Sequence, residues 1–102
     1  METVIELPSF IRSCEGLLAE HEVKSLIDFL ARHPTEGDVI ASSGGLRKLR
    51  WARAGAGKRG GARVIYYHVA KDSMLYLLLV YAKAAQEHLA PEQLNRLKSA
   101  LV

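Results

Sequence analysis

The chain reads as an α+β domain, with two N-terminal helices packed on one face of a small antiparallel sheet and a short helix at the C-terminus. Three observations predict this. Apolar residues recur at helical spacing in two early stretches, Phe10 to Leu18 and Glu20 to His33. Three strand-like stretches follow with short breaks between them: Leu46 to Arg53, Arg63 to Val69 and Met74 to Lys83. Beyond Pro91, Leu94, Leu97 and Leu101 mark one apolar helical stripe. With 102 residues, 49% hydrophobic and 25% charged, the chain suits one globular domain spanning 1–102 with a single core. Two helices on one sheet face leave the other face free to bind something.

Each element has its own signal. Val4 and Ile5 suit a short opening strand, Thr3 to Leu7, which Pro8 stops. Ser9 can cap a helix carrying Phe10, Ile11, Cys14, Leu17 and Leu18 and ending near Leu18. From Glu20 to His33, Val23, Leu26, Ile27 and Leu30 stand at i, i+3, i+4 and i+7, with acids at the start and Arg32 and His33 at the end. Pro34 and Gly37 terminate that helix. Asp38 to Ile40 can begin a strand, and Ser42 to Gly45 form a turn. Alternation puts Lys48, Arg50 and Ala52 on one face of the next strand, with Arg47, Leu49, Trp51 and Arg53 on the other. Arg63, Ile65 and Tyr67 share one side of the following strand, opposite Val64, Tyr66 and His68. Met74 to Lys83 is almost continuously apolar, as a central strand buried on both faces should be.

Charge is segregated along this frame. Between Asp38 and Asp72 stand Arg47, Lys48, Arg50, Arg53, Lys58, Arg59, Arg63 and Lys71, and no acid. The chain holds fourteen basic and eleven acidic residues, so the remainder is left with six basic against eleven acidic. A cationic block on an acidic body attracts a polyanion, of which nucleic acids are the commonest. A solubilising hairpin is the bland alternative, but solubility is usually served by mixed charge.

Several other functions are excluded. Gly55-Ala56-Gly57-Lys58-Arg59-Gly60 spells the dinucleotide pattern G-x-G-x-x-G, but it links two strands and opens no helix. A Walker loop fails because Ala52 stands at its first glycine and Arg59 follows the lysine. No cofactor is expected. His21, His33, His68 and His88 are scattered without metal-site spacing and read as surface or packing residues. Cys14 sits among apolar helix positions as a small core residue, and a single cysteine suits a reducing cytoplasm. The apolar run from Met74 is too short for a membrane span, and the Met-Glu-Thr start lacks a secretory signal. Trp51 reads as packing, while one of Tyr66 and Tyr67 must face away from the core and can stack.

Taken together, the blocks Gly37-Asp38-Val39-Ile40, Gly44-Gly45-Leu46-Arg47-Lys48-Leu49-Arg50, Gly57-Lys58-Arg59-Gly60-Gly61, Arg63-Val64-Ile65-Tyr66-Tyr67 and Leu79-Val80-Tyr81-Ala82-Lys83 closely resemble the HigB branch of the RelE/ParE toxin superfamily. The resemblance implies a microbial RNase-like fold and the toxin of a bacterial toxin-antitoxin module. In most such members the activity is ribosome-dependent cleavage of mRNA, without a metal. The implied partners are a cognate antitoxin, the ribosome and mRNA. Attack of a 2′-hydroxyl on the adjacent phosphate needs a base, an acid and cations for the charge on the phosphorane. By matching block, Arg63 and Lys83 are the first catalytic candidates, then Lys48, Arg50 and Lys58, while Arg47, Arg53, Arg59 and Tyr81 are RNA-binding candidates. Ala84-Ala85 stands where the family often has Asn-Glu, and the C-terminal His or Tyr base of some relatives has no assigned match, His88 included. ParE-like relatives share the fold and inhibit DNA gyrase without cutting RNA. A non-enzymatic inhibitor of gyrase, or a ribosome-binding module, is therefore the competing class.

Overall fold

A computed structural model describes residues 1–52 and 61–101. In chain order the elements are β1 (Thr3–Glu6), α1 (Pro8–Cys14), α2 (Glu20–Arg32), β2 (Asp38–Val39), β3 (Arg47–Trp51), β4 (Ala62–Val69), β5 (Met74–Ala82) and α3 (Pro91–Ser99). The strands form one sheet in the order β1-β5-β4-β3-β2. Three of its pairings are antiparallel, as expected. The outer pair, β1 with β5, is parallel, with Thr3 opposite Met74 and Glu6 opposite Leu77. A mixed edge thus replaces the purely antiparallel sheet of the sequence reading.

The first helix is shorter than its apolar spacing predicts. It starts at Pro8, whose missing N–H costs nothing in a first turn, and it leaves helical geometry at Glu15, ahead of Gly16 at φ 74°. Ser9 does not cap it. The Ser9 hydroxyl instead donates to the Leu78 carbonyl, and Ser13 Oγ accepts from the Val80 N–H at 3.0 Å. These two serines take over the edge of β5 where β1 ends, so its backbone polar groups stay satisfied. In α2 the Glu22 carboxylate accepts from the Ala19 N–H at 2.9 Å, satisfying a backbone donor at the helix start. Leu26 and Leu30 carry the predicted apolar face fully into the core.

Two apolar clusters flank the sheet. Phe10, Leu18, Leu26 and Leu30 pack against Leu49, Val64, Tyr66, Leu75, Leu77 and Val80 on one face. On the other, Leu94, Leu97 and Leu101 cover Leu46, Ile65, Leu78 and Tyr81. That second face is therefore not left bare, because α3 closes much of it. As predicted for a central strand, β5 is buried from both sides.

A break in strand register decides what faces where. Ile65 lies opposite Leu79 but Tyr66 lies opposite Leu77, so Leu78 is an extra residue in β5. Past such a bulge, alternation continues with the opposite parity. Leu75 and Leu77 point to the α1–α2 side, and so does Val80, while Tyr81 turns to the α3 side.

Candidate active site

Register across three strands assembles the site. Arg50 of β3 is opposite Arg63 of β4, and Arg63 is opposite Tyr81 of β5, so these three form one row across the sheet. The face is the one that carries α3, and without the bulge Tyr81 would have pointed away from it. Lys48 lies on the same face as Arg50, in the next row, opposite Ile65. Strand alternation alone places Lys48 beside Arg50, as the sequence indicated.

The chain after β5 folds back over this row. The Lys83 N–H donates to the Gly61 carbonyl at 3.1 Å, closing the end of the β4–β5 ladder. Tyr81 Oη donates to the Glu87 carbonyl at 3.1 Å, and Lys48 Nζ reaches the same oxygen at 3.5 Å. Lys48 Nζ also lies 2.8 Å from Nδ1 of His88. With the ammonium donating, Nδ1 is the acceptor and the ring proton sits on Nε2. Arg63 Nη2 contacts Glu87 Oε1 at 3.3 Å. The result is a cleft of about 440 Å³ lined by Lys48, Arg50 and Arg63 together with Glu36, Asp38, Glu87 and His88.

Acids therefore share the cleft, although none stands in the basic stretch of sequence. Glu36 and Asp38 arrive through the pairing of β2 with β3, where Asp38 faces Lys48. Glu87 arrives through the loop before α3. Partial desolvation pulls the Glu87 pKa up, but the charge and hydrogen bond of Arg63, helped by Lys83 and His88, outweigh it and leave the carboxyl below its usual value. Burial pushes the Tyr81 phenol up, against Arg63, which lowers it; Glu87 adds a further upward push. Tyr81 is thus a hydrogen-bond donor here and not a phenolate.

The candidate residues separate. Lys48, Arg50, Arg63 and Tyr81 come together, and Lys83 lies at the exposed end of β5, close enough to Glu87 to act on its charge. Arg47 is on the opposite face of β3, where its Nη1 donates to the Gly37 carbonyl at 2.7 Å and the Thr35 carbonyl at 3.3 Å, tying down the turn after α2. Lys58, Arg53 and Arg59 lie outside the described residues, as does the Gly55 to Gly60 loop. The histidine left unassigned by sequence, His88, is in the cleft, and so is Glu87. No local signal marks either residue, since a loop without regular structure brings them back over the sheet.

Other expectations settle as packing. Trp51 rests against Phe29, with ring centroids 5.6 Å apart, on the helix side. Tyr66 is the inward tyrosine, and Tyr67 faces α3 with Lys98 Nζ 3.8 Å from its ring centroid. Burial, reinforced by Glu6, pushes the Cys14 thiol up to about 11, as suits a packing residue. Among the described residues no group of three or more His, Cys, Asp or Glu side chains is gathered in a metal-holding arrangement. Nor, among them, is any helix long and apolar enough to cross a membrane.

A mixed-edged five-stranded sheet with two helices on one face and a short C-terminal helix on the other defines a small α+β class. Its fold is similar to that of a doubly substituted E. coli toxin RelE in the free state, with a TM-score of 0.59 and 13% sequence identity over 84% of this chain and 87% of that one. The chain thus has a RelE-like fold. No protein-family model matches it.

Proposed function

We propose that this chain is the toxin of a bacterial toxin-antitoxin pair, of HigB type within the RelE/ParE superfamily, and that it cleaves translated mRNA on the ribosome in the cytoplasm. The observation that carries the reading is the gathering of Lys48, Arg50 and Arg63 in one cleft on a RelE-like fold, with Tyr81 next to Arg63 in the same row. Two guanidiniums and an ammonium suit a phosphodiester, because the charge that grows on its oxygens in the transition state meets fixed cations in a partly dry site.

Chemistry follows from the same groups. The 2′-hydroxyl of one nucleotide attacks the adjacent phosphorus, its proton leaves to a base, and the 5′-oxygen of the next nucleotide departs with a proton from an acid. Arg63 and Arg50 hold the phosphate oxygens. Lys48 and His88, in contact at 2.8 Å, are the groups that would divide the acid and base roles once RNA lies between them. Tyr81 steadies the loop that carries His88 through its bond to the Glu87 carbonyl. Lys83, exposed and near enough to Glu87 to act on its charge, adds positive potential for a polyanion.

Primer extension on a translated message, with and without the protein, tests this reading. Cuts within codons that need ribosomes support it. Intact message accompanied by arrested replication would instead assign the fold to gyrase inhibition.

A further inference from the structure

One contact in the cleft is not used by that chemistry. The Arg63 side chain is only 6% exposed, yet its donors are poorly filled. Nη1 donates to the Ala62 carbonyl at 3.3 Å, Nη2 meets Glu87 Oε1 at 3.3 Å, and the buried Nε has no hydrogen-bond partner among the described residues. A guanidinium that holds a carboxylate for structural reasons normally does so through two parallel bonds of about 2.7–2.9 Å. Here there is one longer bond, to a side chain that is 40% exposed. The main chain of Glu87 is pinned by Tyr81 and Lys48, so only its carboxylate is free to swing.

From this geometry we infer that Glu87 is a resident anion, occupying on Arg63 the position of an incoming phosphate oxygen, and that ligand binding exchanges it out. A tetrahedral phosphate can face Nη2 and Nε together, filling the donor that Glu87 leaves empty. Glu36 and Asp38 line the same cleft, so the displaced carboxylate turns away from those acids and toward Lys83, whose charge already acts on it. The exchange sets how tightly the free protein holds any phosphate. It rests on the phosphate-handling reading of the cleft given above.

The test compares wild type with Glu87→Gln using two probes. One is inorganic phosphate, followed by phosphorus NMR. The other is a short single-stranded RNA made uncleavable by 2′-O-methyl groups, followed by fluorescence anisotropy. Glu87→Gln should bind both severalfold more tightly. In an Arg63→Met background the same change should give no more than the small gain of removing any acid from the cleft, because the coupling is between those two residues. Glu36→Gln removes an equal charge from the same cleft and should give a much smaller gain. Unchanged or weaker binding by Glu87→Gln overturns the exchange, as does an equal gain from Glu36→Gln or a gain that survives Arg63→Met at full size. If phosphate shows the exchange and RNA binds no variant, the exchange stands and the RNA reading falls.

Discussion

Arg50 and Arg63 are direct register partners on β3 and β4, so two cations face one another across a strand pair. Like charges directly opposite in a sheet work against folding, by about 0.2–1 kcal/mol in pairs of ordinary exposure. Retaining the pair makes sense where both charges act on one anion. Arg50→Gln should accordingly raise stability in urea denaturation by about 0.2–1 kcal/mol while weakening RNA binding. A loss of stability would mean the two arginines are held apart by partners, and the pairing would carry no functional message.

Arg63 is less peripheral than a strand-end cation. An alanine there removes a buried stem as well as a charge. Arg63→Met keeps most of the stem. It should retain the wild-type circular dichroism spectrum and lose about 10²–10³ in cleavage rate, the usual cost of one transition-state donor. A folded, fully active Arg63→Met protein would put the reacting phosphate elsewhere.

Much of this site was legible because it rests on strand alternation. Lys48 and Arg50 share a face by period two, and the apolar spacing of Val23 to Leu30 gave α2 its buried side. What stayed hidden depends on contacts distant in sequence. The parallel pairing of Thr3 with Met74 joins residues that no local pattern connects. The bulge at Leu78 reverses the facing of Tyr81 within a stretch whose residues are nearly all apolar, so alternation had no polar markers to follow. Glu36, Asp38 and Glu87 enter the cleft from outside the basic block, and an acid-free stretch of chain therefore became a surface of mixed charge.

Gly37 and Tyr66 hold the cleft's acidic wall. Tyr66 Oη accepts from the Gly37 N–H at 2.9 Å and donates to the Pro34 carbonyl at 2.8 Å. A Cβ on Gly37 would stand 2.8 Å from the Tyr66 ring and 3.0 Å from the Lys48 carbonyl. Gly37→Ala should cost about 1–3 kcal/mol by overpacking, and Tyr66→Phe about 1–3 kcal/mol by leaving the two backbone groups unpaired. Chemical denaturation measures both, and a near-neutral Tyr66→Phe would show that water replaces the hydroxyl.

The pH response of the Arg63–Glu87 contact has a definite sign. The folded pKa of Glu87 is lowered, so the contact contributes fully above the unfolded carboxyl value and is lost as pH falls through the lower folded one. RNA or phosphate affinity should thus show no Glu87-dependent change near neutrality. The advantage of Glu87→Gln over wild type should shrink only below the ordinary value of 4.5. Affinity curves for the two proteins that converge near neutral pH would contradict this.

The C-terminal helix bears on how the proposed antitoxin would silence the site. The structure gives α3 a closing role, since Leu94, Leu97 and Leu101 cover Leu46, Ile65 and Leu78, which are completely buried. Removing Pro91 to Val102 would expose those three side chains, worth about 1.5–3 kcal/mol each, and such a truncation should aggregate instead of reporting on a docking site. Lys98 offers a gentler lever. Its Nζ donates to the Gly44 carbonyl at 2.8 Å and lies over the Tyr67 ring, fastening α3 to the turn before β3. Lys98→Gln should loosen that clasp by about 0.5–1 kcal/mol without baring the core. A cognate antitoxin that displaces α3 should bind this variant more tightly by calorimetry, because less has to be undone. Equal affinity for variant and wild type would leave direct cover of the Arg50–Arg63 cleft as the better account.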